Sequence, residues 1–108
     1  MANYLNNKNL IEALTASHDV GIATDTLAEY FVILVERYSR RQSYNFLTTE
    51  MKDDMRSGAV CKLLSIWRKF DVNSGKSAFC YFSVVVNNDF SKYLNRESKA
   101  GTFLASYG

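Results

Sequence analysis

A periodic set of side chains in the last third of the sequence could bind nucleic acid. If this segment is helical, six residues at steps of three and four share one face. They are Tyr81, Val85, Asn88, Lys92, Arg96 and Lys99. Aromatic rings stack on unpaired bases, and cations neutralise phosphates. A solvated helix face with a half-buried tyrosine would show the same spacing, so the pattern alone leaves both interpretations open.

Residues that could support catalysis or hold a metal ion are few. The single histidine, His18, has no histidine or cysteine at ligand spacing. Asp53 and Asp54 are adjacent on a predicted helix and therefore point in different directions. The sequence contains no phosphate-binding glycine loop and no nucleophile motif. We therefore expect no enzymatic activity, no cofactor and no bound metal.

The cysteines and the amino-terminal residues indicate a cytosolic protein. Cys61 and Cys80 lie in apolar stretches and match neither a metal-binding pair nor a disulfide scaffold, so we expect both to be reduced packing residues. A membrane-spanning helix requires on the order of eighteen uncharged apolar residues, and no stretch of the sequence approaches that length. Residues 1–10 lack the basic start and apolar run of a signal peptide. We expect neither export nor membrane insertion.

The composition favours long helices. The 108 residues are 47% hydrophobic and contain no proline, where average usage would supply about five. Hydrophobic periodicity and capping residues predict helices over 7–17, 26–41, 48–70 and 76–96, the second starting with a capping box at Thr26. A loop is expected at 17–21 and a turn at 71–75. We predict an all-α fold, a compact bundle of about four helices and no sheet, with one domain over 1–100 and a short tail over 101–108.

The last two predicted helices carry informative apolar lines. The core line of the third helix is Met51, Met55, Ala59, Leu63, Ile66 and Phe70. A second line in the same helix, Val60, Leu64 and Trp67, could pack inward or form a groove for a partner. The core line of the fourth helix is Phe79, Phe82, Val86, Phe90 and either Tyr93 or Leu94.

The net charge of +2 is unevenly distributed. Residues 1–50 contain four basic and six acidic side chains, whereas residues 51–108 contain nine and five. The second half is therefore the candidate anion-binding part, although a mild asymmetry of this kind is also typical of a solvated surface. Arg37, Arg40 and Arg41 lie near the end of the second predicted helix, where the helix dipole favours cations without any ligand.

Several short segments in this order and spacing resemble region 2 of the sigma-70-family RNA polymerase sigma factors. They are Trp67-Arg68-Lys69-Phe70-Asp71, Phe79-Cys80-Tyr81-Phe82-Ser83, Asn88-Asp89-Phe90 and Tyr93-Leu94-Asn95-Arg96-Glu97. Residues 4–10 and 34–38 are also similar to the late-transcription sigma factors of T-even-like bacteriophages, so the resemblance covers most of residues 4–99.

The resemblance implies two binding surfaces. In this family one helix docks on the clamp helices of the largest polymerase subunit, and the next helix recognises and opens an AT-rich −10-like promoter element. Carried over, the polymerase-binding residues are Asp53, Asp54, Arg56, Lys62, Leu63, Ile66 and Trp67. The DNA-binding residues are Lys76, Phe79, Tyr81, Phe82, Asn88, Lys92, Arg96 and Lys99. Further implied partners are a phage co-activator and the DNA sliding clamp, contacted through Phe103 and Leu104 in the tail. The implied location is the cytoplasm of an infected bacterium.

The sequence departs from the family pattern at several positions. Val85 and Val86 stand where housekeeping sigma factors carry a pair of tryptophans, and Ala78 stands where close phage relatives have proline. The tail has no acidic residue, unlike the clamp-binding tails of the phage family. The chain ends before a second DNA-binding domain, so we do not expect it to read a −35 element.

The leading hypothesis is therefore a minimal phage late-gene sigma factor, monomeric when free, that directs host core polymerase to AT-rich promoters. The alternative is an interaction protein that occupies the sigma site on the clamp helices without reading DNA. A helix-turn-helix repressor ranks last, because the helices flanking the turn at 71–75 are too long for that motif.

Overall fold

Four α-helices and two short 3₁₀ segments make up residues 5–99, the part of the chain that the computed structural model describes; the side chains of Ser43 and Lys99 are excepted. The helices are α1 (Asn7–Val20), α2 (Asp25–Ser39), α3 (Thr49–Ile66) and α4 (Ala78–Lys99). The 3₁₀ segments are Gln42–Tyr44 and Trp67–Lys69. No strand occurs within residues 5–99. The predicted all-α bundle of about four helices is confirmed.

The core lies where α3 packs against α2 on one side and α4 on the other, while α1 closes the bundle against α2 and α4. The predicted core line of α4 is confirmed at Phe82, Val86, Phe90 and Tyr93, all of which are buried. The core line of α3 is confirmed from Met55 onward, through Ala59, Leu63, Ile66 and Phe70. Phe79 and Leu94 are only partly buried and pack at the edge of this core.

The first helix is longer than its sequence pattern indicated. It continues through the expected loop to Val20 and ends at Gly21, whose φ of 83° and N–H bond to the Ser17 carbonyl form a left-handed cap. The buried Ser17 hydroxyl accepts a hydrogen bond from the Thr24 N–H at 3.0 Å. Thr24 in turn caps α2 through the Leu27 N–H, so the predicted capping box at Thr26 is wrong. The α1–α2 connection is thus closed by hydrogen bonds within a few residues.

The extra turn of α1 covers the end of α3. The His18 ring meets the Trp67 ring edge-on, with centroids 5.0 Å apart. The Arg68 guanidinium lies 5.2 Å from the same indole and donates a hydrogen bond to the Gly21 carbonyl. Because α3 tightens to a 3₁₀ turn at Trp67–Lys69, this tryptophan belongs to the core and not to an outward apolar line.

Side-chain hydrogen bonds build the turn between α3 and α4. The Asp71 carboxylate accepts from the Asn73 N–H at 2.9 Å, and the Asp71 carbonyl accepts from the Ser74 N–H at 3.1 Å. Gly75 follows with a φ of 78°, a conformation that other residues rarely adopt. The predicted turn at 71–75 is confirmed.

Tyr93 links α4 to the start of α3. Its side chain is buried, and the Asp54 carboxylate of α3 lies near its hydroxyl. Burial, followed by the nearby carboxylates of Glu97 and Asp54, raises the pKa of Tyr93 above its ordinary value of 10.0, while Arg96 opposes this shift. The folded chain therefore retains this proton at a pH where the unfolded chain has lost it.

The packing of Phe82 gives a first prediction. Phe82→Ala removes a fully buried ring and should lower the free energy of unfolding by about 3–5 kcal/mol, with Phe82→Leu losing less. Val84→Ala on the same helix alters a side chain that is 57% exposed, and should change stability by no more than about 0.5 kcal/mol. Urea unfolding followed by circular dichroism checks both. Equal losses of unfolding free energy in Phe82→Ala and Val84→Ala would contradict the difference in burial between the two side chains.

The Tyr93–Asp54 contact gives a prediction about alkaline pH. Because the folded pKa of Tyr93 is raised, its contribution to stability is present below about pH 10 and is lost as the pH rises through the folded value. As the pH rises above about 10, the free energy of unfolding of the Tyr93→Phe variant should therefore fall less than that of the natural chain. Urea unfolding at a series of pH values from about 8 to about 11 measures the difference. Parallel pH curves for the two proteins would rule out the proposed coupling.

Candidate functional site

The exposed side of α4 is free of acidic side chains. This surface, called the α4 face below, consists of Tyr81, Val84, Asn88, Ser91, Lys92, Asn95 and Arg96. The two carboxylates of this helix, Asp89 and Glu97, are half-buried and lie outside the face. The Asp89 side chain is directed at α3, where its Oδ2 would lie 3.7 Å from a Cβ built at Gly58. The α4 face therefore presents amides and cations without a carboxylate to repel a phosphate.

A surface cavity of about 530 Å³ lies where the turn joins α4. We call it the α4 cavity. It is lined by Lys69, Phe70, Asp71, Ser74, Lys76, Ser77, Cys80, Tyr81, Val84 and Val85. Its walls combine aromatic and aliphatic side chains with two exposed lysines and one exposed carboxylate, Asp71, so the cavity suits a flat apolar group with an anion near the lysines.

The aromatic wall of the α4 cavity is anchored in the core. The Tyr81 ring is 36% exposed, and its centroid lies 5.2 Å from that of Phe70 and 5.1 Å from that of Phe82. Phe82 also contacts the Phe31 ring of α2 at 5.1 Å. Aromatic pairs at these distances hold one another in fixed orientations. Tyr81 is thus the exposed end of a ring cluster that begins inside the bundle.

Most of the predicted DNA-binding residues lie on this side of the molecule. Lys76, Tyr81, Asn88, Lys92 and Arg96 are exposed, whereas Phe79 is half-buried. The placement of Phe82 on the surface is wrong, because its ring is completely buried between α2, α4 and Phe70. Lys99 is the last residue of α4, and its side chain lies outside the described part of the structure.

A second cavity, of about 650 Å³, lies between α2 and α3 on another side of the bundle. We call it the α2–α3 groove. It is lined by Val32, Val35, Glu36, Asp53, Arg56, Ser57, Val60 and Cys61. Val32 is 42% exposed, and Leu64, one helical turn beyond Val60, is 38% exposed. Arg56 forms an ion pair with Asp53, and Arg40 lies 3.7 Å from Glu36.

The groove contains only part of the predicted polymerase-binding set. Asp53 and Arg56 line it, and Lys62 is exposed on the same helix. The placement of Leu63, Ile66 and Trp67 on a contact surface is wrong, because all three side chains are buried in the core. Asp54 is exposed, and its carboxylate lies near the Tyr93 hydroxyl, whose pKa it helps to raise.

Several residues at the two cavities were not identified from the sequence. Val32 and Val84 lie in apolar runs of the sequence, where hydrophobic periodicity does not distinguish a buried valine from an exposed one. The expectation that Cys61 and Cys80 are packing residues is wrong, because both side chains are exposed, one at each cavity. For Cys80, its helical position opposite Phe82 and Val86 could have indicated exposure.

Other predicted features lie elsewhere. Phe103 and Leu104, the proposed clamp-binding residues, are outside the described residues. Within residues 5–99 no group of three histidine, cysteine or acidic side chains is arranged to hold a metal ion. None of the helices in that range combines the length and the apolar character needed to cross a membrane.

Comparisons with known proteins give no family assignment: no protein-family model matches the sequence, and no curated protein matches it.

The start of α4, and with it the α4 cavity, is held by two caps. The Ser77 hydroxyl accepts from the Cys80 N–H at 3.1 Å, which is an ordinary local cap. The Phe79 N–H instead bonds to the side chain of Asn7 in α1 at 3.1 Å, across 72 positions of sequence. The Ser77 hydroxyl also lies 3.3 Å from the same Asn7 oxygen. The first helix therefore helps to fix the position at which α4 begins.

This long-range cap gives a third prediction. Asn7→Ala should remove the acceptor of the Phe79 N–H, speed its hydrogen exchange and cost about 1 kcal/mol of stability. Asn7→Asp keeps an acceptor oxygen and should preserve protection of that amide. Asn6→Ala is the matched control, because the Asn6 side chain caps α1 through the Asn9 N–H, whereas the Asn7 side chain accepts from the Phe79 N–H of α4. Equal exchange of the Phe79 amide in the two alanine variants would contradict a specific role for Asn7.

Proposed function

We propose that this protein is a small sigma-like initiation factor that binds bacterial core RNA polymerase and helps to open an AT-rich −10-like promoter element. The observation that carries the proposal is the α4 face, an exposed helix surface without carboxylates beside a cavity walled by aromatic rings, with Lys69 and Lys76 outnumbering the single carboxylate, Asp71. The resemblance to sigma factor region 2 supplies the assignment to transcription. Its finer parts, a phage late-gene factor acting in the infected host cytoplasm with a co-activator and sliding clamp, rest on that resemblance alone.

The chemistry of the α4 cavity suits capture of an unpaired base. Tyr81 offers a ring for stacking, and Val84 and Val85 add apolar surface beside it. Lys69 and Lys76 are exposed at the same cavity and can neutralise the flanking phosphates. A base bound here has left the duplex, so its binding energy favours strand opening. Val85 and Val86 do not provide the tryptophan stacking of housekeeping factors, so Tyr81 is the main stacking surface.

Acidic and basic side chains are mixed on α2 and α3. Exposed carboxylates of these helices are Asp25, Glu29, Glu36, Glu50, Asp53 and Asp54, and the cations beside them include Arg37, Lys52, Arg56 and Lys62. The α2–α3 groove differs from the α4 side in its exposed apolar surface, with Val32 in its lining and Leu64 one turn beyond Val60, which suits a protein partner. We therefore assign polymerase docking to this groove. Asp53, Arg56 and Val60 line it and take the place of Leu63, Ile66 and Trp67, which are buried.

Affinity for DNA without polymerase should be weak. The α4 side supplies a small number of cations, and three or four phosphate contacts give little more than non-specific binding at physiological salt. The groove would therefore provide the binding energy that brings the α4 face to the promoter. Tight binding of isolated protein to duplex DNA would count against this division of roles.

Reconstituted transcription provides the test. Core polymerase and this protein are incubated with a supercoiled template that carries an AT-rich −10-like element. Lys92→Ala/Arg96→Ala should retain polymerase binding but reduce promoter opening by roughly tenfold, because exposed cations on the DNA side are lost. Val32→Ser/Leu64→Ser should show the opposite pattern, with weakened polymerase binding as the primary defect. Permanganate footprinting measures opening, and co-purification measures binding.

The same assay distinguishes the alternative function. An interaction protein that blocks the host sigma factor would bind polymerase and inhibit host transcription, and Lys92→Ala/Arg96→Ala would leave that inhibition unchanged. The absence of any promoter-directed transcript from the natural chain would reject the sigma-like function. The absence of polymerase binding as well would reject both.

A further inference from the structure

The end of α2 lies beside the middle of α4 and places an arginine next to the α4 face. Arg41 Nη1 lies 3.5 Å from Asn87 Oδ1, which is a long hydrogen bond between side chains 46 positions apart. Tyr44 meets the Phe90 ring edge-on, with centroids 5.5 Å apart, and Leu47 is buried. The connection from α2 to α3 is therefore attached to α4 on both sides of Ser43. The location of Arg41 follows from this packing.

The contacts of Arg41 leave its charge available. Its guanidinium carbon lies 4.5 Å from the centroid of the Tyr38 ring, and its hydrogen bond goes to a neutral amide. Arg40 differs, because it lies 3.7 Å from the Glu36 carboxylate in an i,i+4 pair. The helix dipole also accounts for Arg41 less well than for Arg37, since α2 ends at Ser39 and the dipole acts within the last turn.

The position of Arg41 relative to the other cations is set by helix geometry. Asn87 and Lys92 are five positions apart on α4, which separates them by about 140° around the helix axis at about 100° per residue. Arg41, bonded to Asn87, therefore flanks one edge of the α4 face, and Lys92 flanks the other. Between these edges lie the exposed, uncharged side chains of Asn88 and Ser91.

We propose that Arg41 is a second phosphate-binding group, so that a single DNA strand crosses α4 between Arg41 on one edge and Lys92 and Arg96 on the other. This inference rests on the proposed DNA-binding function and extends the interface from α4 to the connection between α2 and α3. An arginine suits this role, because its planar guanidinium can stack on Tyr38 and still direct several N–H groups toward a phosphate. Asn88 and Ser91 contact the strand between the cations.

Salt dependence of binding to single-stranded DNA tests the proposal. A fluorescein-labelled AT-rich oligonucleotide is titrated with the full chain at salt concentrations from about 50 mM to about 200 mM, and log K is plotted against log salt. Each phosphate contact on a single strand contributes about 0.7 to this slope. Arg41→Ala should reduce the slope by about that amount, as should Lys92→Ala. The control is Arg40→Ala, which removes the same charge from the same helix end and should leave the slope nearly unchanged.

The outcomes separate this inference from the function on which it rests. Arg41→Ala behaving like Arg40→Ala, while Lys92→Ala lowers the slope, would overturn the second phosphate site and leave the α4 interface in place. No effect from either Arg41→Ala or Lys92→Ala, or no binding by the natural chain at the lowest salt, would reject DNA binding at α4 and this inference with it. An unchanged urea midpoint of Arg41→Ala establishes that any loss of slope does not come from unfolding.

Discussion

The packing of the Phe82 ring is the constraint on which the rest of the molecule depends. This side chain is completely buried and contacts Phe31 of α2, Phe70 after the 3₁₀ turn, and Tyr81 on the neighbouring position of α4. One ring thereby fixes the distance between α2 and α4 and supports the exposed aromatic wall of the α4 cavity. Core packing and the candidate binding surface are consequently coupled, because a cavity at Phe82 would release Tyr81 from one of its two ring contacts.

Helical periodicity predicted the large elements, and it was more reliable than the resemblance for individual side chains. Phe82, Leu63 and Ile66 belong to core lines by their spacing, but the resemblance to sigma factor region 2 implies that they lie on contact surfaces. All three are buried. Burial follows from where a residue lies around its own helix, which local spacing reports directly. A residue role transferred by resemblance carries no information about which neighbours cover that side chain in this protein.

Contacts between distant parts of the chain are what the sequence could not reveal. The bond from Asn7 to the Phe79 N–H spans 72 positions, and the covering of Trp67 by His18 depends on an extra helical turn. Asparagine is common at helix starts for purely local reasons, so its type at position 7 does not indicate a partner in α4. Exposed valines and cysteines present the same difficulty, since their residue type favours burial while their helical position decides it.

Helix α4, which carries the α4 face, is held at three levels by other parts of the chain. Asn7 of α1 caps its first turn, Arg41 and Tyr44 of the α2–α3 connection contact its middle, and Asp54 of α3 lies near Tyr93 toward its end. A surface fixed in this way loses little conformational freedom when it binds a partner, so more of the contact energy is available for affinity. The absence of proline is consistent with this arrangement, because α1 fixes the start of α4 through Asn7 where a proline ring would have fixed it locally. Because of the same dependence, α1, which is remote from the cations of the α4 face in sequence, helps to position them.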